Sequence, residues 1–156
     1  MTAMEAPHQL VVFTLGEQRY GLPLSSVERA ARIVEITPLP NAPEIVLGVI
    51  NVQGRLMAVV NLRRRFRLPE REVALTDQIV VAHTKRRPVA LVADAVVGVL
   101  AYSGKQVVDA DEILPAAEYL EGVVKLDDGL ILIHDLEKFL SLDEARALDS
   151  AMTRDE

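Results

Sequence analysis

The stretch GVINVQGRLMAVVNLRRRF, residues 48–66, decides the fold. Two apolar runs flank a Gln53-Gly54-Arg55 corner, so the segment reads as a β-hairpin, and strands that are apolar on both faces are expected to be buried on both. Asn61 then offers a side-chain acceptor to cap a short helix over residues 62–66. Downstream, GVVKLDDGLILIHDLEKFL repeats the arrangement: Gly48 falls on Gly122, Leu56 on Leu130, Asn61 on Asp135 and Leu62 on Leu136.

The repeat extends upstream. Placing LVVFTLGEQRYGLPLSSVERA over IVVAHTKRRPVALVADAVVGV matches Val11, Val12, Leu22 and Val27 with Val80, Val81, Leu91 and Val96. Hairpin, extended strand, loop, hairpin and capped short helix therefore occur twice, over residues 9–68 and 78–140. A unit of roughly 60 residues has a marginal core and gains by packing on a twin. The expected fold is all-β, with two small barrels of about five strands each, short helices, and room for strands to cross between barrels. Residues 1–8 read as a flexible leader and residues 141–156 as a C-terminal helix and tail, started by a Ser141 cap with Glu144 three positions on.

Within each unit the elements are readable. Residues 10–15 and 19–24 form a hairpin around Gly16-Glu17-Gln18, Ser25-Ser26 begins a helical turn, and the chain extends again through Ile33, Val34 and Ile36. Residues 37–43 hold three prolines and form a rigid loop. A further hairpin runs over 78–82 and 88–93 around Lys85-Arg86-Arg87, followed by a strand over 96–102 and a long loop over 103–119. Asp127-Asp128-Gly129 turns the last hairpin, where aspartate tolerates left-handed dihedrals.

Composition excludes several functions. The 156-residue chain is 50% apolar, which suits a packed fold, and its lack of cysteine removes disulfides and thiolate metal sites and fits a reducing cytoplasm. The leader is too short and polar for a signal peptide, and no apolar run approaches the roughly 20 residues that span a bilayer. A net charge of -6 repels a phosphate backbone, and the basic runs Arg63-Arg64-Arg65 and Lys85-Arg86-Arg87 have only Phe66 beside them as a stacking platform. No nucleic acid is expected as partner, and the arginine run reads as a solvated helix face.

Catalysis finds little support. His8 lies in the leader, and His83 reads as a solvated residue at a strand end. His134-Asp135 suggests half of a catalytic pair until its duplicate, Val60-Asn61, assigns the aspartate to helix capping and leaves the histidine as the preceding strand residue. Asp109-Ala110-Asp111-Glu112 lacks the alternation and glycine of a calcium loop, and no glycine-rich loop opens a helix after a strand. No catalytic residue, metal or cofactor is expected, and binding to other proteins is the function that is left.

The series VVFTLGEQRYGLPLSSVE, ITPLPNAPEIVLGVINVQGRLMAVVNLRRRF, VALVADAVVGVL and YLEGVVKLDDGLILIHDLEKFL resembles the CheW-like family of chemotaxis coupling proteins over nearly the whole chain. The resemblance implies two SH3-like five-stranded barrels and a role as a non-catalytic cytoplasmic adaptor, peripheral to membrane receptor arrays. Its partners would be the regulatory domain of a CheA-type histidine kinase and the cytoplasmic tip of methyl-accepting chemoreceptors, whose helical hairpin would enter a groove between the barrels. Carried over by position, the receptor contacts are Val27, Gly48, Asn51, Gln53, Gly54, Ala90, Val96 and Val99; each valine reads equally as core, and each of the two glycines equally as a turn requirement. Kinase contacts would involve Leu39, Asn41, Ala42, Pro43 and Ile45.

Departures fall on charged positions. Gln53 stands where the family commonly has arginine, Arg29 where it commonly has an acid, and Asn61 replaces an aspartate cap without loss of capping. A divergent paralogue that keeps the kinase contact but has lost the receptor, serving pilus or gliding motility, is the alternative reading.

Overall fold

The structure, a computed structural model, describes residues 8–109 and 120–154. β1 (His8–Leu15) and β2 (Gln18–Pro23) lead through a 3-10 turn (Leu24–Ser26) to β3 (Val27–Arg32), and β4 (Val46–Val52), β5 (Arg55–Val60) and α1 (Leu62–Arg65) follow. The second half supplies β6 (Gln78–His83), β7 (Pro88–Ala93), β8 (Ala95–Tyr102), β9 (Val107–Asp109), β10 (Leu120–Leu126), β11 (Gly129–His134), a 3-10 turn (Leu136–Lys138) and α2 (Leu142–Arg154).

These strands build two sheets, in the orders β8-β1-β2-β11-β10-β9 and β3-β6-β7-β5-β4. Each sheet therefore mixes both halves of the chain. Among the described residues neither ladder closes on itself, so the SH3-like units are open sheets there, and the first has a sixth strand. The second has only an isolated bridge at the corresponding place, Thr37 to Val49, where Pro38 follows immediately and has no N–H to extend it.

Aligned residues occupy the same places in both sheets. In the parallel pairs, Ala58 lies opposite Val89 and Val59 opposite Ala90, while their counterparts Leu132 and Ile133 lie opposite Tyr20 and Gly21. Even the bulges coincide: Val27 and Arg29 oppose Ala82 and Val81, just as Val96 and Gly98 oppose Phe13 and Val12. A second pair of bulges separates Val46 from Gly48 and Leu120 from Gly122.

The apolar alternation explains this layering. One face of each sheet holds its own small core, Ile50, Met57, Val59, Ile79 and Val81 in one and their aligned partners Val124, Ile131, Ile133, Leu10 and Val12 in the other. The opposite faces meet in a shared core that includes Phe13, Leu22, Val60, Val80 and Leu91. β4 and β5 are thus buried on both faces, as their two-sided apolar pattern requires.

α2 covers this shared core with Leu148, which is wholly buried, and Ala151. The Ser141 cap is a reciprocal box, with Glu144 N donating to Ser141 Oγ at 3.1 Å and Ser141 N to Glu144 Oε1 at 2.7 Å. Asn61 and Asp135 likewise accept from Arg64 N and Glu137 N at their helical turns.

Two expectations are corrected, and a third lies beyond the described residues. β3 ends at Arg32 rather than extending through Ile33, Val34 and Ile36, because Ile33 N leaves the ladder to donate to Asp77 O at 3.3 Å. The segment expected as a long loop over 103–119 contains the 3-10 turn Gly104–Gln106 and β9, which pairs with β10. The Ala110-Asp111-Glu112 stretch lies outside the described residues.

Gly48 shows how tightly the proline loop is drawn in. A Cβ there would lie 2.3 Å from Thr37 O, at φ +153°, whereas at Gly54 (φ +87°) nothing stands within 4 Å. Gly48→Ala should cost about 3 kcal/mol and Gly54→Ala about 1 kcal/mol, because only the first adds a backbone clash to dihedral strain. Urea denaturation of the two variants checks this, and equal losses would show that the approach of Thr37 is not rigid.

Candidate protein-docking surfaces

The residues singled out by sequence divide into fold-bearing and accessible groups. Ala90 is 0% exposed in central strand β7 and offers nothing to a partner, which removes it as a contact. Gly48 is buried against Thr37. Leu39 and Ile45 are also buried, joining the shared core, while Asn41 is exposed at φ 65° and Ala42 and Pro43 are half-buried. Of the residues expected to contact a kinase, only the Asn41-Ala42-Pro43 loop presents surface.

Val27 and Val96 occupy equivalent places at the start of β3 and β8, half-buried against the shared core. They are neither sealed inside separate interiors nor free. Val99 lies opposite Val11, and Val96 opposite Phe13, so both valines share the face of the sheet that turns toward the other sheet. β8 is an edge strand, and its Val97 and Val99 are 62% and 57% exposed. From Ala95 to Tyr102 it carries no charge, so the edge lacks the charged side chains that commonly blunt one and has only its bulge.

The corner at 53–54 is a tight turn with positive φ at both residues, 51° at Gln53 and 87° at Gly54. Asn51 holds it, its Oδ1 accepting from Gly54 N at 2.8 Å, so the asparagine's first role is local. Arg55 then reaches Glu28 on β3, Nη1 to Oε2 at 3.0 Å. This ion pair brings the corner to β3 and so gathers Gln53, Gly54 and the Val27 strand.

The arginine run is not the solvated helix face expected from sequence. Arg63 Nη2 donates to Asp94 Oδ1 at 2.7 Å, Arg65 Nη2 donates to both oxygens of Glu144 at 2.6 and 2.7 Å, and only Arg64 stays at the surface, with Glu44 at 2.5 Å. Two of the three staple α1 to the sheet crossover and to α2. Nor are Arg86 and Arg87 free; both pair with Asp149 of α2.

Asp94 is the hub where the chain crosses from β7 in one sheet to β8 in the other. Its Oδ1 accepts from Arg63 and from Arg71 Nη2 at 2.6 Å, and its Oδ2 accepts from Gly16 N at 2.7 Å in the β1–β2 turn. Burial alone would raise its pKa, but the bonds from Arg63, Gly16 and Arg71 outweigh it and hold the carboxyl below its usual range. Asp77, buried nearby, is lowered first by its hydrogen bond from Arg71. Sequence does not reveal the partners of Asp94, which lie 23, 31 and 78 positions away along the chain.

His134 is likewise more than a residue preceding a cap. It is buried, with its ring stacked on Phe66 at a centroid distance of 4.2 Å and close to Tyr20 and Phe139. Neither it nor Asp135 lines the 390 Å³ cleft at the foot of α2, which is walled by residues such as Val60, Lys85 and Phe139. His83 is exposed at the end of β6 as expected. Among the described residues no group of three or more acidic, histidine or cysteine side chains could hold a metal ion.

The geometry is therefore that of paired sheets with spent internal charges and an exposed apolar edge. Comparison with known proteins gives the lineage: the CheW-like domain matches residues 9–144. The chain belongs to the CheW-like family. Chemotaxis protein CheW of Treponema pallidum is 27% identical over 154 residues, covering 95% of this chain and 91% of that protein. Chemotaxis protein CheW of Thermotoga maritima is 30% identical over 132 residues, 85% of this chain and 87% of its own length. The crystal structure of the scaffolding protein TtCheW from Thermoanaerobacter tengcongensis superposes with a TM-score of 0.79 at 28% identity, over 89% of this chain and 96% of that one.

Depressed carboxyls carry a pH signature. A folded-state pKa below the unfolded value contributes stability that is present above the unfolded pKa and is lost as pH falls through the folded one. Asp77 and Asp94 start from 3.8, so stability should hold from neutrality to about pH 5 and fall steeply below about pH 4. Asp94→Asn should lower stability at pH 7 and flatten that acid limb, as read by thermal melts across pH 3 to pH 7; an unchanged limb would mean that the hub contributes nothing.

Proposed function

We propose that this chain is a non-catalytic adaptor that couples the cytoplasmic tips of chemoreceptors to a CheA-type histidine kinase. The observation that carries the reading is the uncharged edge strand β8, whose exposed Val97 and Val99 border the face between the sheets while the chain's strongest charge clusters are spent on internal pairs. Membership of the CheW-like family supports the same role.

In this reading the receptor's helical hairpin lies along the inter-sheet rim, touching Val99, the exposed parts of Val27 and Val96, and the Gln53-Gly54 corner held by Asn51. The kinase's regulatory domain meets the Asn41-Ala42-Pro43 loop. Apolar side chains held on rigid strands give such contacts area at little entropic cost. The adaptor works at the cytoplasmic face of a receptor array; no described helix is long and apolar enough to cross a membrane.

Val99→Asp should weaken binding to a receptor-tip hairpin fragment by about tenfold or more, because it sets a charge in an apolar contact. Its melting temperature should stay within about 2 °C of the parent, since Val99 is mostly exposed. The kinase regulatory domain should bind the variant as it binds the parent. Unaltered receptor binding would sink the rim as the contact, and a parent chain that binds neither fragment would sink the adaptor role itself.

A further inference from the structure

The two sheets share a backbone at their seams but differ there in charge. In the five-stranded sheet, β3 carries Glu28 within its bulge and Arg29 after it, and the β4–β5 corner supplies Arg55, which bonds Glu28 at 3.0 Å. The aligned residues in the six-stranded sheet are Val97, Gly98 and Gly129. That sheet forms the same bulge with no charge at any of the three places. The fold therefore does not require the charged set, and the repeat acts as its own control.

Register places the arginines together. Arg55 pairs with Val52 and precedes Met57 and Val59 at alternate positions, while Arg29 lies opposite Val81; these four apolar residues share one small core. Both arginines thus stand at the rim of one face. Arg29 has no carboxylate partner among the described residues, while Arg32, paired with Gln78, stands on the opposite face of β3 and does not join this rim. The other Glu28 oxygen lies 4.0 Å from His83 Nδ1. Two arginines against one glutamate make this rim basic in a chain of net charge -6.

The Glu28–Arg55 pair is also weakly held. One Arg55 nitrogen makes the contact, and its side chain is half exposed, so its remaining donors are left to water. A carboxylate arriving on a partner surface, shielded from water on docking, would make a stronger, two-pronged contact with the same guanidinium.

We propose that the Arg29 and Arg55 rim receives a carboxylate side chain from an acidic helical face of the receptor, and that Glu28 is an internal stand-in which that carboxylate displaces. This rests on the receptor-docking reading above and supplies, from Arg55, the cation that Gln53 lacks.

The test measures affinity for the receptor-tip hairpin fragment, with the kinase regulatory domain as a second probe. Glu28→Gln, which frees Arg55, should tighten receptor binding by about threefold to tenfold, and Arg55→Ala should weaken it by about tenfold. The double variant should match Arg55→Ala. Added salt should weaken the parent more than Arg55→Ala, and kinase binding should be unchanged throughout. Thermal melts confirm folding, and Arg55→Lys, retaining charge, should recover part of the affinity. A parent that binds the hairpin but is indifferent to both Glu28→Gln and Arg55→Ala overturns this inference alone, whereas a parent that binds neither probe overturns the adaptor reading beneath it. Dimerisation of Glu28→Gln on sedimentation would assign the rim to a second copy and overturn it as well.

Discussion

Burial of both faces of each sheet is the constraint on which the rest depends. A short strand pair can shelter one face in a small core of its own, as Ile50, Met57, Val59, Ile79 and Val81 do, but the opposite face remains apolar and needs a cover. The other sheet is that cover. Phe13, Leu22, Val60, Val80 and Leu91 meet in one interior, so neither unit has a stable surface without its neighbour. The exchange of β3 and β8 between sheets then ties the two by chain connectivity as well as by contact.

Charge serves this arrangement from within. Arg63 and Arg65 look like a basic face in sequence but are bonded to Asp94 and Glu144, fixing α1 against the crossover and against α2. The net effect is a molecule whose strongest charges are occupied and whose most accessible apolar strand is β8. Such a distribution favours recognition by shape and greasy contact, with charge left to refine the choice of partner.

Much of the fold was legible because its signals are local. The Gln53-Gly54 corner, the Asn61 and Asp135 caps, and the Ser141–Glu144 box act over two to four residues, and each appears where the residue types require it. Alignment of the two halves also anticipated matching positions for Val27 and Val96. What escaped were contacts over long separations. Arg65 meets a carboxylate 79 positions away, and nothing near it in the chain says so. The stacking of His134 on Phe66 was hidden for the same reason, as was the burial of Ala90, which looks like any small residue in an apolar run. β9 was missed because three residues are too few for a periodic signal to stand out.

The strand exchange also bears on how the chain is made. β1 leaves the ribosome early, yet one of its two neighbours is β8, residues 95–102, and β2 finds its parallel neighbour only when residues 131–133 have been synthesised. The amino-terminal half can form its local hairpins β1–β2 and β4–β5, but their outer edges wait for partners until much of the rest of the polypeptide has emerged. Collapse into the finished molecule becomes a late, concerted event rather than a progressive one. A cell that makes this protein has reason to keep holding chaperones close to the exit tunnel during its translation.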